Sequence, residues 1–151
     1  MSVSATTRFP RPGEVQGVHY LFVTDEQFDR LVADDDLLEW AEYAGHRYGT
    51  PRAPVQASRD AGIATLLEIE IEGARQVRRR VPDATLVFLA PPSRDVLVER
   101  LTGRGTEPDP VVSARLARAE RELAAIDEFD EVVVNDEVGR VVDRLVALAR
   151  Q

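Results

Sequence analysis

Thr85-Leu86-Val87-Phe88-Leu89-Ala90-Pro91-Pro92-Ser93 decides how the rest of the sequence is read. Its first six residues are an unbroken apolar run, the pattern of a strand covered on both faces. Two prolines stop that strand, and Ser93 suits the cap of a helix reaching Leu101. A strand passing into a helix through a short turn predicts a βα unit. The alternation recurs on both sides. Upstream, Ala64-Thr65-Leu66-Leu67-Glu68-Ile69-Glu70-Ile71 predicts an apolar strand ending in carboxylates. A helix follows it from about Gly73 to Val81, where Pro82 stops it. Downstream, a loop at Thr102-Gly103-Arg104-Gly105-Thr106 leads to a helix near Pro110–Ile126 and a strand at Asp130–Asn135. Val138, Val141, Val142, Leu145 and Val146 then mark an amphipathic terminal helix.

The first sixty residues have a different texture. Residues 2–7 and 18–23 predict short strands. Thr24 with Gln27 forms a capping-box pattern, opening a helix with Phe28, Leu31 and Val32 on one face. Asp34-Asp35-Asp36 end it and read as a solvated acidic turn, since a calcium loop alternates its ligands and needs a glycine. Leu37–Tyr43 alternates as a strand does, and Gly45–Thr50 reads as a glycine-bounded turn. Pro51 to Ala61 predicts a helix, with Thr50 available as cap and Gly62 closing it. The expectation is one α/β domain over residues 1–151: a mostly parallel sheet sandwiched by helices, with an inserted lobe of short strands at about 9–62.

Composition narrows the function. The net charge is −8, from 27 acids and 19 bases. That argues against a nucleic-acid binder, which relies on a basic face. It leaves room for a small anion, which two or three placed arginines can hold. Every cationic side chain other than histidine is arginine, so no lysine chemistry is available. There is no cysteine, hence no disulfide or thiolate metal site. No apolar run approaches a membrane span, and no apolar leader opens the chain, so the expectation is a cytoplasmic protein.

The residues that bear chemistry are few. In Thr6-Thr7-Arg8-Phe9-Pro10-Arg11-Pro12-Gly13-Glu14, two arginines stand three apart. The prolines push their predecessors toward extended geometry, which repeats every three residues. Arg8 and Arg11 are therefore expected to point the same way, either as a solvated loop or as a clamp for a phosphate or carboxylate. Thr6, Thr7 and Tyr20 can add hydroxyls. Glu68 and Glu70 end a strand, where ligands of open parallel sheets bind, although plain strand-end solvation explains them equally. Arg100 and Arg104 share a side of a helix end, where they also complement the helix dipole. Asn135 follows the last strand. His19 and His46 are too isolated to suggest a metal.

Taken in order, these pieces resemble guanylate kinase. The resemblance rests on Ser2-Val-Ser-Ala-Thr-Thr-Arg8, Pro10-Arg-Pro-Gly-Glu14, Gly17 to Tyr20, Glu39-Trp40, Gly45 with Tyr48-Gly49-Thr50, and Leu67-Glu-Ile-Glu70 with Gly73. It continues through Pro91-Pro92-Ser93, Arg100-Leu101, Arg104-Gly-Thr-Glu107, Arg115-Leu116 and Val134-Asn135-Asp136. It implies a P-loop-kinase-like fold and phosphoryl transfer from ATP to GMP. Arg8, Arg11, Tyr20 and Tyr48 would hold the GMP phosphate, and Glu39 would read guanine with Ser4 and Thr50. Guanine offers two N–H donors that an ionised carboxylate accepts side by side, a pair adenine lacks. Glu68 and Glu70 stand where the family usually has aspartates, near the ribose and the metal. Arg100, Arg104 and Arg115 would belong to a lid at about 100–121, and Asn135 would lie near adenine.

The family also carries a strand, a Gly-x-x-x-x-Gly-Lys-Ser/Thr loop and a helix ahead of these motifs. The 151 residues contain neither that glycine spacing nor a lysine. The resemblance then implies a sheet missing its first strand, the loop and the first helix. The slot would be closed by rearranged pairing, a homodimer or another chain. Losing the cradle for ATP phosphates and Mg²⁺ should cost most of the catalysis. The leading expectation is a GMP-binding relative that does not phosphorylate by itself, a pseudokinase, using ATP and Mg²⁺ only where a donor site is supplied elsewhere. The alternatives are a bona fide guanylate kinase with a truncated N-terminus or misplaced start codon, and a phosphopeptide- or protein-interaction module. No membrane or nucleic-acid partner is expected.

Overall fold

The computed structural model describes residues 1–102, 116–117 and 119–150. They fall in two compact units, Met1–Ala84 and Thr85–Gln151.

The first unit is built on a four-stranded sheet: β1 (Ala5–Thr6), β2 (Leu21–Phe22), β3 (Leu37–Tyr43) and β4 (His46–Pro51), in the order β2-β1-β4-β3. β1 runs parallel to β2, but β4 is antiparallel to both β1 and β3. The short strands expected as an inserted lobe thus join a mixed sheet, and the cause of its antiparallel part is a hairpin. Ala44 (φ +50°) and Gly45 (φ +77°) form the two-residue turn that pairs Tyr43 with His46. Positive φ at both positions matches the twist of antiparallel strands. The segment expected to be a turn is thus strand β4. Its second glycine lies inside the strand, where a Cβ on Gly49 would stand 2.9 Å from Leu37 Cδ1 and 3.0 Å from the Glu39 carbonyl oxygen.

Three helices complete this unit: α1 (Asp25–Ala33), α2 (Arg52–Asp60) and α3 (Ile71–Arg80). α1 begins as its sequence dictates. The Thr24 hydroxyl accepts from Gln27 N–H, and the Gln27 side chain accepts from Thr24 N–H. It buries Phe28 completely against Ala5 and Leu37, with the Arg47 guanidinium 4.8 Å from the ring centroid. Arg47 also pairs with Asp25 and Asp29, tying β4 to α1. α2 starts without a side-chain cap, because Pro51 occupies the cap position and Thr50 is engaged elsewhere. The acidic turn after α1 is ion-paired, with Asp35 bridging Arg52 at 2.6 Å and Arg80 at 3.0 Å.

The strand expected at 64–71 is not formed. Residues 63–70 join no ladder among the described residues. Ser2 N–H donates to the Leu66 carbonyl at 3.1 Å, while the ends of the segment bond to the neighbouring helices, Ile63 N–H to the Ser58 carbonyl and Ala74 N–H to the Glu70 carbonyl. A strand needs a partner, and an apolar sequence alone does not supply one.

The second unit pairs β5 (Val87–Ala90) with β6 (Glu131–Val134) in parallel, Val87 opposite Glu131. α4 (Arg94–Thr102) follows β5, and Ser93 Oγ accepts from Val96 N–H as its cap. A helical stretch at 119–123 and a 3₁₀ turn (Ile126–Glu128) lead into β6, and α5 (Val138–Leu148) ends the chain. Phe88 packs edge-on against Phe129, 5.1 Å between centroids. Val141 is buried, but Leu89, Val132 and Val134 stay about half exposed. The expected two-sided cover of this strand is not complete among the described residues, because the pair has only two strands.

Candidate functional site

The site in the first unit has two ends, and β4 carries both. Tyr48 and Thr50 are two residues apart, so they project to one face about 7 Å apart along the strand.

At the Tyr48 end stands Arg8. Its guanidinium grips Glu14 with both terminal nitrogens, at 2.9 and 2.8 Å. It also stacks near Tyr20 (5.4 Å to the centroid) and Phe22 (5.8 Å). Tyr48 meets Tyr20 edge-on at 6.1 Å, and its hydroxyl adjoins the same guanidinium. The expectation that Arg8 and Arg11 point together from one extended segment is not what the backbone does. Arg11-Pro12-Gly13-Glu14 is a reverse turn closed by Glu14 N–H to the Arg11 carbonyl, 3.0 Å. Proline at its second position and Gly13 at φ +87° are what a type II turn requires. The turn brings Glu14 back onto Arg8 and onto the Arg11 N–H, 2.6 Å. Arg11 itself is exposed. The hydrogen bonds from Arg8 and Arg11 hold the Glu14 carboxyl down at about 2. The Glu14 hydrogen bond in turn raises the Arg8 guanidinium further. Thr6 and Thr7 serve the backbone: their hydroxyls accept from Arg8 N–H and Arg47 N–H.

At the Thr50 end lies Glu39 on β3. It is only 3% exposed, and Thr50 is 1% exposed. The Thr50 hydroxyl donates to Glu39 Oε1 at 2.6 Å. Burial pushes the Glu39 carboxyl above the ordinary range, opposed by the Thr50 hydrogen bonds and reinforced by the charge of Glu70. Desolvation therefore wins. A buried carboxylate with one oxygen engaged has remaining acceptor capacity for neighbouring N–H donors. Ser4, half-buried, directly precedes β1, and its carbonyl accepts from Leu21 N–H. Glu70 is the N-cap residue of α3, while Glu68 is exposed.

Arg100 and Asn135 belong to the second unit. There the Arg100 guanidinium donates to the Asn135 carbonyl at 3.0 Å, and Asn135 N–H donates to the Ala90 carbonyl. Arg104 and Arg115, with most of the 100–121 segment, lie outside the described residues. Among the described residues no group of three or more His, Cys, Asp or Glu is placed to hold a metal. None of their helices is long and apolar enough to cross a membrane.

Reading the sequence did not assign Glu14, Gly73 or Gln76 to the site. Glu14 had a signal, the Pro-Gly turn that returns it to Arg8. Gly73 and Gln76 share a helix face at a spacing of three, but nothing local tells what they face.

A mixed α/β scaffold that aligns an arginine–tyrosine cluster with a buried carboxylate has known counterparts. The guanylate kinase family model matches residues 1–151. The chain is 62% identical to the guanylate kinase of Streptomyces coelicolor over 98% of its length and 75% of that protein's. It is also 62% identical to that of Thermobifida fusca, over 98% and 76%. The crystal structure of guanylate kinase from Anaplasma phagocytophilum superposes with a TM-score of 0.83 at 34% identity, covering 99% of this chain and 73% of that one. The chain belongs to the guanylate kinase family. Identity this high along nearly the whole chain favours the bona fide kinase over the pseudokinase and does not support the non-kinase reading.

Proposed function

We propose that the chain binds GMP in the pocket of its first unit and serves a guanylate kinase reaction, phosphoryl transfer from ATP to GMP. The observation that carries this reading is the placement of Tyr48 and Thr50 on one face of β4, one beside Arg8 and the other bonded to buried Glu39. That spacing suits a ligand with an anion at one end and N–H donors at the other.

Arg8, Arg11, Tyr20 and Tyr48 hold the phosphate in this reading. A guanidinium and phenolic hydroxyls offer charge-assisted bonds to phosphate oxygens. Glu39 accepts the two N–H donors of guanine, and Thr50 fixes one carboxylate oxygen, with Ser4 adding a hydroxyl. Adenine would leave buried Glu39 facing no donor, the arrangement that rejects a ligand most strongly. Glu70 adjoins Glu39, and with Glu68 it would stand near the ribose and the Mg²⁺ that accompanies ATP. Magnesium commonly takes one or two carboxylates plus substrate phosphates, so these two glutamates fit it. Arg100, Arg104 and Arg115 would neutralise charge on the transferred group, and Asn135 would meet adenine.

Calorimetric titration with GMP and AMP tests the binding. GMP should bind at least about a hundredfold more tightly, and equal affinities would overturn the reading. Phosphorus NMR of the chain with GMP and Mg-ATP tests the reaction through the appearance of GDP.

A further inference from the structure

The buried carboxylate lies against α3 at a glycine. Gly73, Gln76 and Arg80 lie three and four apart on α3, so they share one face. Each addresses a different part of β3. Arg80 donates to the Leu37 carbonyl. Gln76 engages both backbone groups of Trp40: Oε1 accepts from its N–H at 3.1 Å, and Nε2 donates to its carbonyl at 2.6 Å. β3 is the edge strand of its sheet, so these two groups face away from β4. The amide of Gln76 takes the place a next strand would have. Trp40 is the residue after Glu39, so fixing its peptide fixes the start of the Glu39 side chain.

Gly73 fixes the other end. A Cβ built there would lie 2.3 Å from Glu39 Oε2 and 3.1 Å from its Cδ. Only the absence of a side chain lets the carboxylate occupy this position. Thr50 takes Oε1 from the opposite side, so Glu39 is bracketed.

We propose that Gly73 and Gln76 are specificity-determining positioning residues, through which α3 sets the Glu39 carboxylate for guanine. The proposal rests on the reading of Glu39 as the base-recognising group. Neither residue needs to touch nucleotide. A purely structural role for the same contacts would weaken GMP and AMP alike, since both carry the same ribose and phosphate.

The test compares wild type, Gly73→Ala and Gln76→Ala, each titrated with GMP and AMP. The GMP-over-AMP affinity ratio should fall at least about tenfold in Gly73→Ala and about threefold in Gln76→Ala, with AMP affinity within about twofold of wild type. An unchanged ratio, or parallel losses for both nucleotides, would overturn the proposal. Gln76→Ala adds no atom, so it carries the test should Gly73→Ala lose the fold. A second measurement needs no nucleotide. Carbon-13 NMR titration of the Glu39 carboxyl should move toward the ordinary carboxylate range in both variants as water reaches it. An unmoved titration would overturn the positioning role even where GMP binds. A wild-type chain without GMP preference but with a Glu39 titration that moves in the variants would sink the parent reading and leave the positioning role standing.

Discussion

The two ends of the candidate site are built on different principles. At the Arg8 end the partners are close in sequence: Arg8 and Glu14 are six residues apart, and one reverse turn brings them together. At the Glu39 end the partners come from far away: Thr50 eleven residues on, Gln76 thirty-six beyond Trp40. The first end is half open to water and dominated by charge. The second is almost fully buried and dominated by desolvation. Under the proposed function this difference would separate affinity from selectivity. In the proposed reading any nucleotide would offer a phosphate to the first end, but only a base with paired donors would compensate the second.

The largest break in this contrast should come from Glu39→Gln. The amide keeps the volume but turns one acceptor into a donor facing the donors of guanine. Two charge-assisted bonds of about 1.5–3 kcal/mol each are at stake. GMP affinity should drop by about a hundredfold or more, with AMP affinity unchanged within about twofold. Equal losses for both nucleotides in calorimetry would show that Glu39 serves the fold alone.

Arg8→Ala should come next and look different. It removes a guanidinium that stacks on Tyr20 and Phe22 and faces the proposed phosphate position. About ten- to a hundredfold loss is expected, the same for GMP and AMP, with a weaker dependence on salt. A loss confined to GMP would merge the two ends and refute the division.

How much of this was legible in the sequence follows the same division. The capping box at Thr24 and Gln27, the strand at Leu37–Tyr43 and the Ser93 cap depend on nearest neighbours, and they formed as written. The resemblance picked out Arg8, Tyr20, Glu39, Tyr48 and Thr50, and the fold brings them into two linked clusters. What failed needed distant information. Gly45–Thr50 reads as a turn because glycine weakens a strand, yet Gly49 is required there by the approach of Leu37 and Trp40. Residues 63–70 have strand composition, but pairing depends on a neighbour that composition does not name. The role of Gly73 is invisible locally, because what matters is the carboxylate arriving from residue 39.

A smaller effect should appear with pH. The Glu39 carboxyl is raised by burial, so the folded chain binds its proton more tightly than the unfolded one does. Its ionisation therefore lowers stability as pH rises from the ordinary carboxylate range through the raised value. Under the proposed function recognition would run the opposite way, because guanine needs the ionised form. The GMP-over-AMP ratio should fall several-fold as pH is lowered through that range, and Glu39→Gln should flatten it. Taking the ratio cancels the titration of the phosphate common to both nucleotides. A ratio independent of pH in the wild type would mean that the carboxylate is not the base-recognising group.

Glu14→Gln should give the smallest change, and it probes the open end. Glu14 occupies both terminal nitrogens of Arg8, so it either competes with a phosphate or holds the guanidinium ready for one. The geometry favours holding. The same carboxylate accepts from Arg11 N–H, which makes it part of the turn and not a mobile counter-ion. Its carboxyl lies near 2, below the usual 4.5, so the pairing is intact at neutral pH and is lost only as pH falls through about 2. The substitution should weaken GMP and AMP equally, by about two- to tenfold, because an arginine that is not held must be ordered on binding. A gain in affinity for both nucleotides would mean that Glu14 competes with the phosphate, and would make the pair a latch instead of a support.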